Sequence, residues 1–209
     1  MELSSQIDQV VSAAMGLDVG ECRALIAIAG PPASGKSTLA KRVQARLTEL
    51  SKPCGLVPMD GFHLSNEILQ ERGLLGRKGA PETFDVDSFK ALIERLGTED
   101  DVPVPLFNRD LDRVEQDKGH VSSAQRHVVV EGNYLLMKTA PWNELAGFWS
   151  LCVFIAPSRE VLEKRLIQRW ITHGLDPEAA KMRAVGNDLV NALTVIEGSN
   201  QSSAQFEFG

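Results

Sequence analysis

Apolar residues recur along this chain in two alternating patterns. Helical spacing of apolar positions predicts amphipathic helices over residues 3–15, 36–50, 85–96 and 159–172. Short continuous apolar runs predict buried strands over residues 24–29, 55–59, 128–130 and 151–155. Because these strands are apolar on both faces and alternate with helices, we expect an α/β fold. Its mostly parallel sheet would be covered by helices on both faces.

Less regular segments complete this prediction. Residues 97–126 are expected to be rich in loops, with VPVPLF at 102–107 as a short extended piece. Asp176 and Pro177 open another helix, since proline is favoured at the first helical position. Residues 193–196 are expected to form a final core strand, and the last residues a tail or an edge strand. The length suits one domain over residues 1–209.

Composition narrows the classes of partner. The formal net charge of −6 argues against broad, non-specific binding of nucleic acid. No apolar stretch reaches transmembrane length and the N-terminus lacks a signal-peptide pattern, so we expect no membrane partner. Cys22, Cys54 and Cys152 form no CxxC pair and are expected to be buried, reduced thiols, which favours a cytoplasmic setting.

Residues 26–42, IAIAGPPASGKSTLAKR, contain the pattern G-x-x-x-x-G-K-[ST]. A predicted strand precedes the pattern and a predicted helix follows it, which is the context of a loop that binds a nucleoside triphosphate. Lys36 should reach the β- and γ-phosphates, Ser37 should ligate Mg²⁺, and Thr38 should lie near the α-phosphate. The expected nucleotide-binding residues are Gly30, Pro31, Ala33, Ser34, Gly35, Lys36, Ser37 and Thr38.

Other motifs separate the classes of nucleotide-binding protein. The chain has neither the N-K-x-D motif of guanine-nucleotide switches nor the LSGGQ-like signature of transporter ATPases. Motor ATPases usually end the second acidic strand in adjacent acids, whereas VVVEGNYLL offers Glu131 alone, followed by Gly132. This pattern favours a kinase over a site that activates water, and it makes Glu131 a second candidate for Mg²⁺.

Polar residues near the expected nucleotide suggest the rest of a site. Asp60, in VPMDGFH, follows a predicted strand and could accept a proton from a hydroxyl, although a turn or helix-capping role is the alternative. Arg165 and Arg169 lie one helical turn apart, and neither has an acidic residue three or four positions away. They favour a lid at about 158–186 over the phosphates, with a solvated helix face as the alternative.

Further candidate residues could bind the molecule that accepts the phosphate. Arg77 and Lys78 form a second basic point without an evident acidic partner. His63 could orient a substrate or simply pack. Asn187 and Asn191, in GNDLVNA, could bind substrate or base, or could be turn and cap residues.

Six segments together resemble a known family: GPPASGKST, MDGFHLSN, RKGAPETFD, VPLFNRDLDR, VVVEGNYLL and RLIQRWITHG. The chain resembles the P-loop kinases that include uridine kinase, phosphoribulokinase and bacterial type I pantothenate kinase. It is most similar to short bacterial proteins described as nucleoside/nucleotide kinase-like or fructose transport system kinases. The resemblance implies a three-layer P-loop NTPase sandwich with a small helical lid, and ATP with Mg²⁺ as cofactors. It implies a catalytic role for Asp60, Lys36, Arg165 and Arg169, and an acceptor-side role for Arg77, Lys78, Arg109 and, at the second strand end, Glu131.

Departures from the family pattern concern the acceptor. Phe107-Asn108 replaces a tyrosine followed by Asp or Ser, and Arg109 stands where pantothenate kinase has histidine. We expect an ATP:alcohol phosphotransferase that acts on a small metabolite, such as the sugar fructose, with pantothenate or a nucleoside as alternatives. A nucleotide-binding regulatory protein without transfer activity and a nucleotide hydrolase are alternatives of another class. A homodimer is also an option.

Overall fold

A computed structural model describes residues 2–20 and 22–209. The strands are β1 (Ala24–Ala29), β2 (Cys54–Pro58), β3 (Val102–Asn108), β4 (Arg113–Val121), β5 (His127–Gly132), β6 (Leu151–Ile155) and β7 (Phe206–Phe208). The α-helices are α1 (Leu3–Met15), α2 (Lys36–Glu49), α3 (Asn66–Glu71), α4 (Val86–Thr98), α5 (Arg159–Thr172), α6 (Pro177–Arg183) and α7 (Leu189–Gly198).

Five strands form the central sheet, in the order β2-β5-β1-β6-β7. Every pair of neighbours in it is parallel, which confirms the predicted parallel sheet. All six residues of β1 are buried because β1 has a strand on each side and helices above and below. The carboxyl ends of β1, β2 and β5 therefore open at one edge of the sheet, where ligand sites form in parallel α/β folds. The last residues were expected to form a tail or an edge strand, and β7 is an edge strand.

Two apolar layers cover the sheet. Ile26 and Ile28 of β1 pack with α1 and α2 on one face. Ala27 and Ala29, on the other face, pack with α4 and with buried residues of β3. The alternation follows from the two-residue period of a strand. Helices thus lie on both faces of the sheet, as the apolar pattern predicted.

Two predictions of local structure are wrong. Residues 193–196 belong to α7, where Leu189, Ala192 and Val195 are buried at helical spacing. A four-residue apolar run does not distinguish a strand from one face of a helix. Residues 97–126 hold the antiparallel hairpin of β3 and β4, rather than mainly loops. Only the extended piece at 102–107 was predicted, because Pro103 and Pro105 obscure the alternation of a strand.

The segment predicted as a lid forms α5, α6 and most of a π-helical turn, Ala184–Asp188. Ser158 caps α5, its side chain accepting from the N–H of Val161. Asp176 caps α6, and Pro177 takes the first helical position as expected. Leu162 and Leu166 of α5 pack on α7 in a small core of their own, separate from the two layers on the sheet.

Two expectations concern the setting of the chain. Cys54 and Cys152 are buried thiols as expected, but Cys22 is exposed, so that part of the expectation is wrong. Cys22 lies just before β1, where the first buried residue is Ala24. No helix among the described residues is both long and apolar enough to cross a membrane.

Candidate active site

The phosphate-binding loop joins β1 to α2. Gly35 has a φ of 101°, a left-handed conformation that glycine adopts without a steric penalty. Nζ of Lys36 donates to the carbonyl oxygen of Pro31 at 3.4 Å, so the ammonium lies over the loop. Burial lowers the pKa of Lys36, while the carboxylates of Glu131 and Asp60 act to raise it. The loop thus presents a cation and the N-terminus of α2 to one space, an arrangement suited to phosphate.

Ser37 connects this loop to the end of β5. Its Oγ donates to Oε2 of Glu131 at 3.1 Å. Glu131 is only 8% exposed, and burial raises its pKa although the charge of Lys36 acts in the opposite direction. The Ser37 hydroxyl and the Glu131 carboxylate place two oxygens side by side, and Mg²⁺ prefers oxygen ligands. Ser37 and Glu131 therefore fit a Mg²⁺ ion that also binds nucleotide phosphates.

Asp60 lies in a 3-10 turn, Met59–Phe62, directly after β2. Its Oδ2 accepts a hydrogen bond from Nη2 of Arg109 at 2.6 Å, and Arg109 comes from the turn between β3 and β4. The hairpin can approach because Gly61 has no side chain; a Cβ at Gly61 would overlap the carbonyl oxygen of Pro105. Packing of the hairpin on this turn therefore decides which group faces Asp60.

An aromatic wall lies beside Asp60. The ring of His63 stacks on Phe84, with centroids 4.1 Å apart, and the ring of Phe107 lies 4.9 Å away. Nδ1 of His63 is buried and has no hydrogen-bond partner among the described residues. Burial lowers the pKa of His63 to about 4, so the ring is neutral at pH 7. The wall is uncharged and suits the carbon skeleton of a small molecule.

Arg77 and Lys78 both have acidic partners, so the expectation of an unpaired basic point is wrong. Nε of Arg77 lies 3.0 Å from Oε1 of Glu82. Nζ of Lys78 donates to Oδ1 of Asp112 at 2.8 Å and to Oδ1 of Asn66 at 2.7 Å. Asp112 is 34 positions away along the chain, so no local pattern could reveal this ion pair.

Arg165 and Arg169 of α5 face different groups. Nη1 of Arg165 donates to the carbonyl oxygens of Ala33 and Ser34, at 3.2 and 3.1 Å, and so supports the loop from outside the cavity. Arg169 points into the cavity, and the described residues give its guanidinium no hydrogen bond or ion pair. Burial and the charge of Arg109 lower the pKa of Arg169. Arg169 is therefore the cation of α5 that is placed to contact an anion.

The π-helical turn joins the lid to the rest of the site. Nε1 of Trp170 donates to Oδ2 of Asp188 at 2.6 Å, and the guanidinium of Arg183 lies 5.2 Å from the centre of the Trp170 ring. Nδ2 of Asn187 donates to the carbonyl oxygen of Lys78 at 3.3 Å. Asn187 thus links the lid to the loop after α3, and its candidate role in binding substrate stays a prediction.

Asn191 lies inside α7, so it is neither a turn nor a cap residue. It is 2% exposed and lines the cavity. The described residues give its side chain no hydrogen bond. The amide opens onto the cavity and makes no hydrogen bond with the described residues, so this side chain is suited to bind a polar ligand.

A cavity of about 720 Å³ lies between the loop, the hairpin and the lid. It brings together the predicted residues Ala33, Gly35, Lys36, Ser37, Thr38, Asp60, His63, Lys78, Arg109, Glu131 and Arg169. Its lining does not include Gly30, Pro31, Ser34, Arg77, Arg165 or Asn187. Lining residues that the sequence analysis did not single out include Asn133, Trp170, Arg183 and Asp188. Of these, Trp170, Arg183 and Asp188 have no motif in common and meet only through tertiary packing.

Comparison with known proteins identifies the family of the chain. The sequence model of the Phosphoribulokinase / Uridine kinase family matches residues 25–184. The chain belongs to this family. P-loop kinases of this family use ATP, typically with Mg²⁺.

Individual members of the family are similar over most of the chain. An uncharacterized protein, YggC of Escherichia coli (strain K12), is 34% identical over 183 residues, which are 87% of this chain and 76% of that protein. A protein of Schizosaccharomyces pombe described as a "putative uridine kinase" is 31% identical over 203 residues, covering 92% of this chain and 86% of that protein. A solved structure from Silicibacter sp., described as a "putative fructose transport system kinase", is 40% identical with a TM-score of 0.92 and covers both chains completely.

Proposed function

We propose that this protein is a kinase that transfers the γ-phosphate of ATP to a hydroxyl group of a small metabolite. The observation that carries the proposal is one shared cavity. The lysine of the phosphate-binding loop, Lys36, and a carboxylate at a neighbouring strand end, Asp60, both line it. Phosphoryl transfer to an alcohol requires at least a group that binds the phosphate donor and a group that accepts the proton, both in one cavity.

Each residue has a role in the proposed step. The oxygen of the acceptor hydroxyl forms a bond to the γ-phosphorus, the bond from that phosphorus to the β,γ-bridging oxygen breaks, and ADP leaves. Asp60 accepts the proton of the hydroxyl. Lys36 and Arg169 offset negative charge on the transferring group. Ser37 and Glu131 would hold Mg²⁺, which supplies positive charge to the phosphate oxygens when it is bound.

The first acceptor to test is a sugar such as fructose, because the similar Silicibacter structure is described as a kinase of a fructose transport system. Pantothenate and a nucleoside are the alternatives. Arg109 occupies the position where pantothenate kinase is expected to have histidine, which favours a different acceptor.

Two other functions, that of a nucleotide-binding regulatory protein and that of a nucleotide hydrolase, fit the site less well. A nucleotide-binding regulatory protein has no need for a carboxylate beside the phosphate site, yet Asp60 is there. A hydrolase usually has adjacent acids at the second strand end, whereas Gly132 follows Glu131 here. Both observations support transfer to an alcohol.

A screen of a metabolite library with Mg·ATP, read by mass spectrometry for a gain of one phosphoryl group, tests the proposal. We expect at least one phosphorylated hydroxyl compound. With that acceptor, Asp60→Asn should lower kcat by about 10²- to 10⁴-fold and leave ATP affinity nearly unchanged. Lys36→Ala should cripple transfer. Asp110→Asn, on the exposed turn between β3 and β4, is the matched control and should retain activity.

ADP release that is equally fast without any acceptor would favour the hydrolase. ATP binding without turnover across the library would favour the regulatory protein. Full activity of Asp60→Asn would exclude Asp60 as the base.

A further inference from the structure

Several cationic side chains line the half of the cavity beside Asp60, where the acceptor would bind. They differ in how many of their hydrogen-bond donors other protein groups already use. Nζ of Lys78 makes contacts with two oxygens of Asp112 and one of Asn66, which uses all three of its donors. Arg183 donates to the carbonyl oxygen of Gly76 and stacks on the ring of Trp170. Lys78 therefore has no donor left for a ligand, whereas Arg183 keeps free donors but lies against the ring of Trp170.

Arg109 is different. It makes one hydrogen bond, from Nη2 to Oδ2 of Asp60, and the described residues give its other donors no partner. Its side chain is 56% exposed and lines the cavity beside Asp60 and Phe107. A guanidinium has five donors in a planar fork that matches a carboxylate or a phosphate, so most of its binding capacity is unused.

The wall formed by His63, Phe84 and Phe107 is uncharged and selects no ionic group, so an anionic group beside it needs a neighbouring cation such as Arg109. Arg169 also lines the cavity without a hydrogen bond from the described residues, but it lies one helical turn from Arg165, which holds the phosphate-binding loop, so we assign it to the donor half.

We propose that Arg109 binds an anionic group of the acceptor, a carboxylate or a phosphate close to the reacting hydroxyl. This inference rests on the proposed kinase function and specifies its substrate class: a hydroxy acid or a sugar phosphate, so that a phosphorylated fructose is preferred to fructose itself and to other neutral sugars or nucleosides.

The ion pair with Asp60 gives this recognition a consequence for catalysis. Without an acceptor, the guanidinium occupies Oδ2, one of the two oxygens with which Asp60 could take up a proton. An anion on the acceptor competes with Oδ2 for Arg109 and brings its own hydroxyl to the oxygen that is released. Water lacks the anionic group and leaves the ion pair in place, so hydrolysis of ATP is disfavoured relative to transfer.

Matched acceptors test the inference. The pairs are D-glycerate with glycerol, gluconate with glucitol, and fructose 6-phosphate with fructose; within each pair the anionic group is the main difference, and the pairs separate carboxylate from phosphate. Transfer is measured as kcat/KM with Mg·ATP. Binding is measured by calorimetry with a non-hydrolysable ATP analogue and Mg²⁺, which needs no transfer. Each measurement is made on the wild type, on Arg109→Met, and on Arg113→Met as the control. Arg113 is an exposed arginine of the same hairpin that does not line the cavity.

We expect the anionic member of at least one pair to be preferred by about 10- to 100-fold, the range of a charge-assisted bidentate contact. Arg109→Met should abolish most of that ratio and raise the ADP formed per phosphorylated acceptor. Arg113→Met should change neither.

Equal use of neutral and anionic members, or a preference that Arg109→Met leaves intact, would overturn the inference and keep the proposed kinase. Failure of every anionic member to bind would also overturn it. Binding that depends on Arg109, with no transfer to any acceptor in the pairs or the library, would support the inference and overturn the kinase.

Discussion

Oγ of Ser37 lies 3.1 Å from Oε2 of Glu131, joining the first turn of α2 to the carboxyl end of β5 across 94 positions of sequence. Parallel pairing of β1 with β5 aligns Ala29 with Gly132, so the residues that follow β1 meet the end of β5. The register of the sheet therefore brings Ser37 of the phosphate-binding loop next to Glu131 at the end of β5, where Mg²⁺ is expected to bind.

Replacing Glu131 tests this position. We expect Glu131→Gln to raise the Mg²⁺ concentration for half-maximal activity by about tenfold or more, because a neutral amide binds the ion more weakly than a carboxylate. Burial raises the pKa of Glu131, so in the wild type protons should compete with Mg²⁺ at a higher pH than for an exposed glutamate. A Mg²⁺ titration at several pH values measures both effects. Glu94→Gln, exposed on α4, is the control, and an unchanged titration in Glu131→Gln would contradict the assignment.

Substitutions of Arg165 and Arg169 in α5 should have different effects. Arg165→Met removes two charge-assisted hydrogen bonds to the loop, so it should lower the free energy of unfolding by about 1–3 kcal/mol and weaken ATP binding. Arg169→Met removes a cation that has no partner in the described part of the chain, so stability should hold while kcat falls about 10²- to 10³-fold. Urea unfolding and steady-state kinetics separate the two. Arg159→Met, exposed on the same helix, should change neither, and identical effects of Arg165→Met and Arg169→Met would argue against distinct roles.

Gly61 should be intolerant of any side chain. Gly61→Ala places a methyl group against the carbonyl oxygen of Pro105 and should cost about 1–3 kcal/mol of stability, with a loss of activity as Arg109 is displaced from Asp60. Gly97→Ala is the contrast: no atom lies within 4 Å of the new methyl group, and an exposed helical alanine should add about 0.5–1 kcal/mol. Thermal and urea unfolding measure both. Wild-type stability in Gly61→Ala would mean that the hairpin is not packed as described.

His63 should make stability depend on pH. Its pKa is lowered to about 4 by burial, with Lys78 and Arg109 acting in the same direction and Asp60 and Asp112 opposing them. A histidine with a lowered pKa stabilises the fold only while it is neutral, so its contribution is full above about pH 6.5 and is lost as the pH falls towards 4. We expect a loss of up to about 2 kcal/mol by pH 5. His63→Phe retains an aromatic ring and should remove this part of the loss in urea unfolding; the same pH curve in both proteins would refute the prediction.

Asn191 should matter for ligand binding but not for folding. Asn191→Leu removes an amide that makes no hydrogen bond with the described residues, so stability should be nearly unchanged. The KM for the acceptor should rise about tenfold if the amide binds it, since a lost hydrogen bond to a ligand is worth about 1.4 kcal/mol at that ratio. Thr194→Ala, on the exposed face of α7, is the control. An unchanged KM would mean that the acceptor does not contact Asn191.

The buried strands of the central sheet were more predictable than the β3–β4 hairpin and the last helix, α7. β1, β5 and β6 are buried on both faces, and a continuous apolar run is the direct consequence of such burial. The β3–β4 hairpin has one partly solvated strand and two prolines, so its pattern is weak. The run at 193–196 is too short to show its period, and packing against α5 selected the helix.

The sequence by itself determined strands β1, β2, β5 and β6 of the parallel sheet, the phosphate-binding loop and the residues at the strand ends. The loop is predictable because phosphate is bound by consecutive backbone N–H groups, whose geometry a short stretch of residues encodes. Only the tertiary structure decided that Arg109 faces Asp60, that Lys78 pairs with Asp112, and that Arg165 holds the loop while Arg169 enters the cavity. These relationships join separate elements of the chain, and their geometry depends on how the hairpin and the lid pack on the sheet, which no local pattern records.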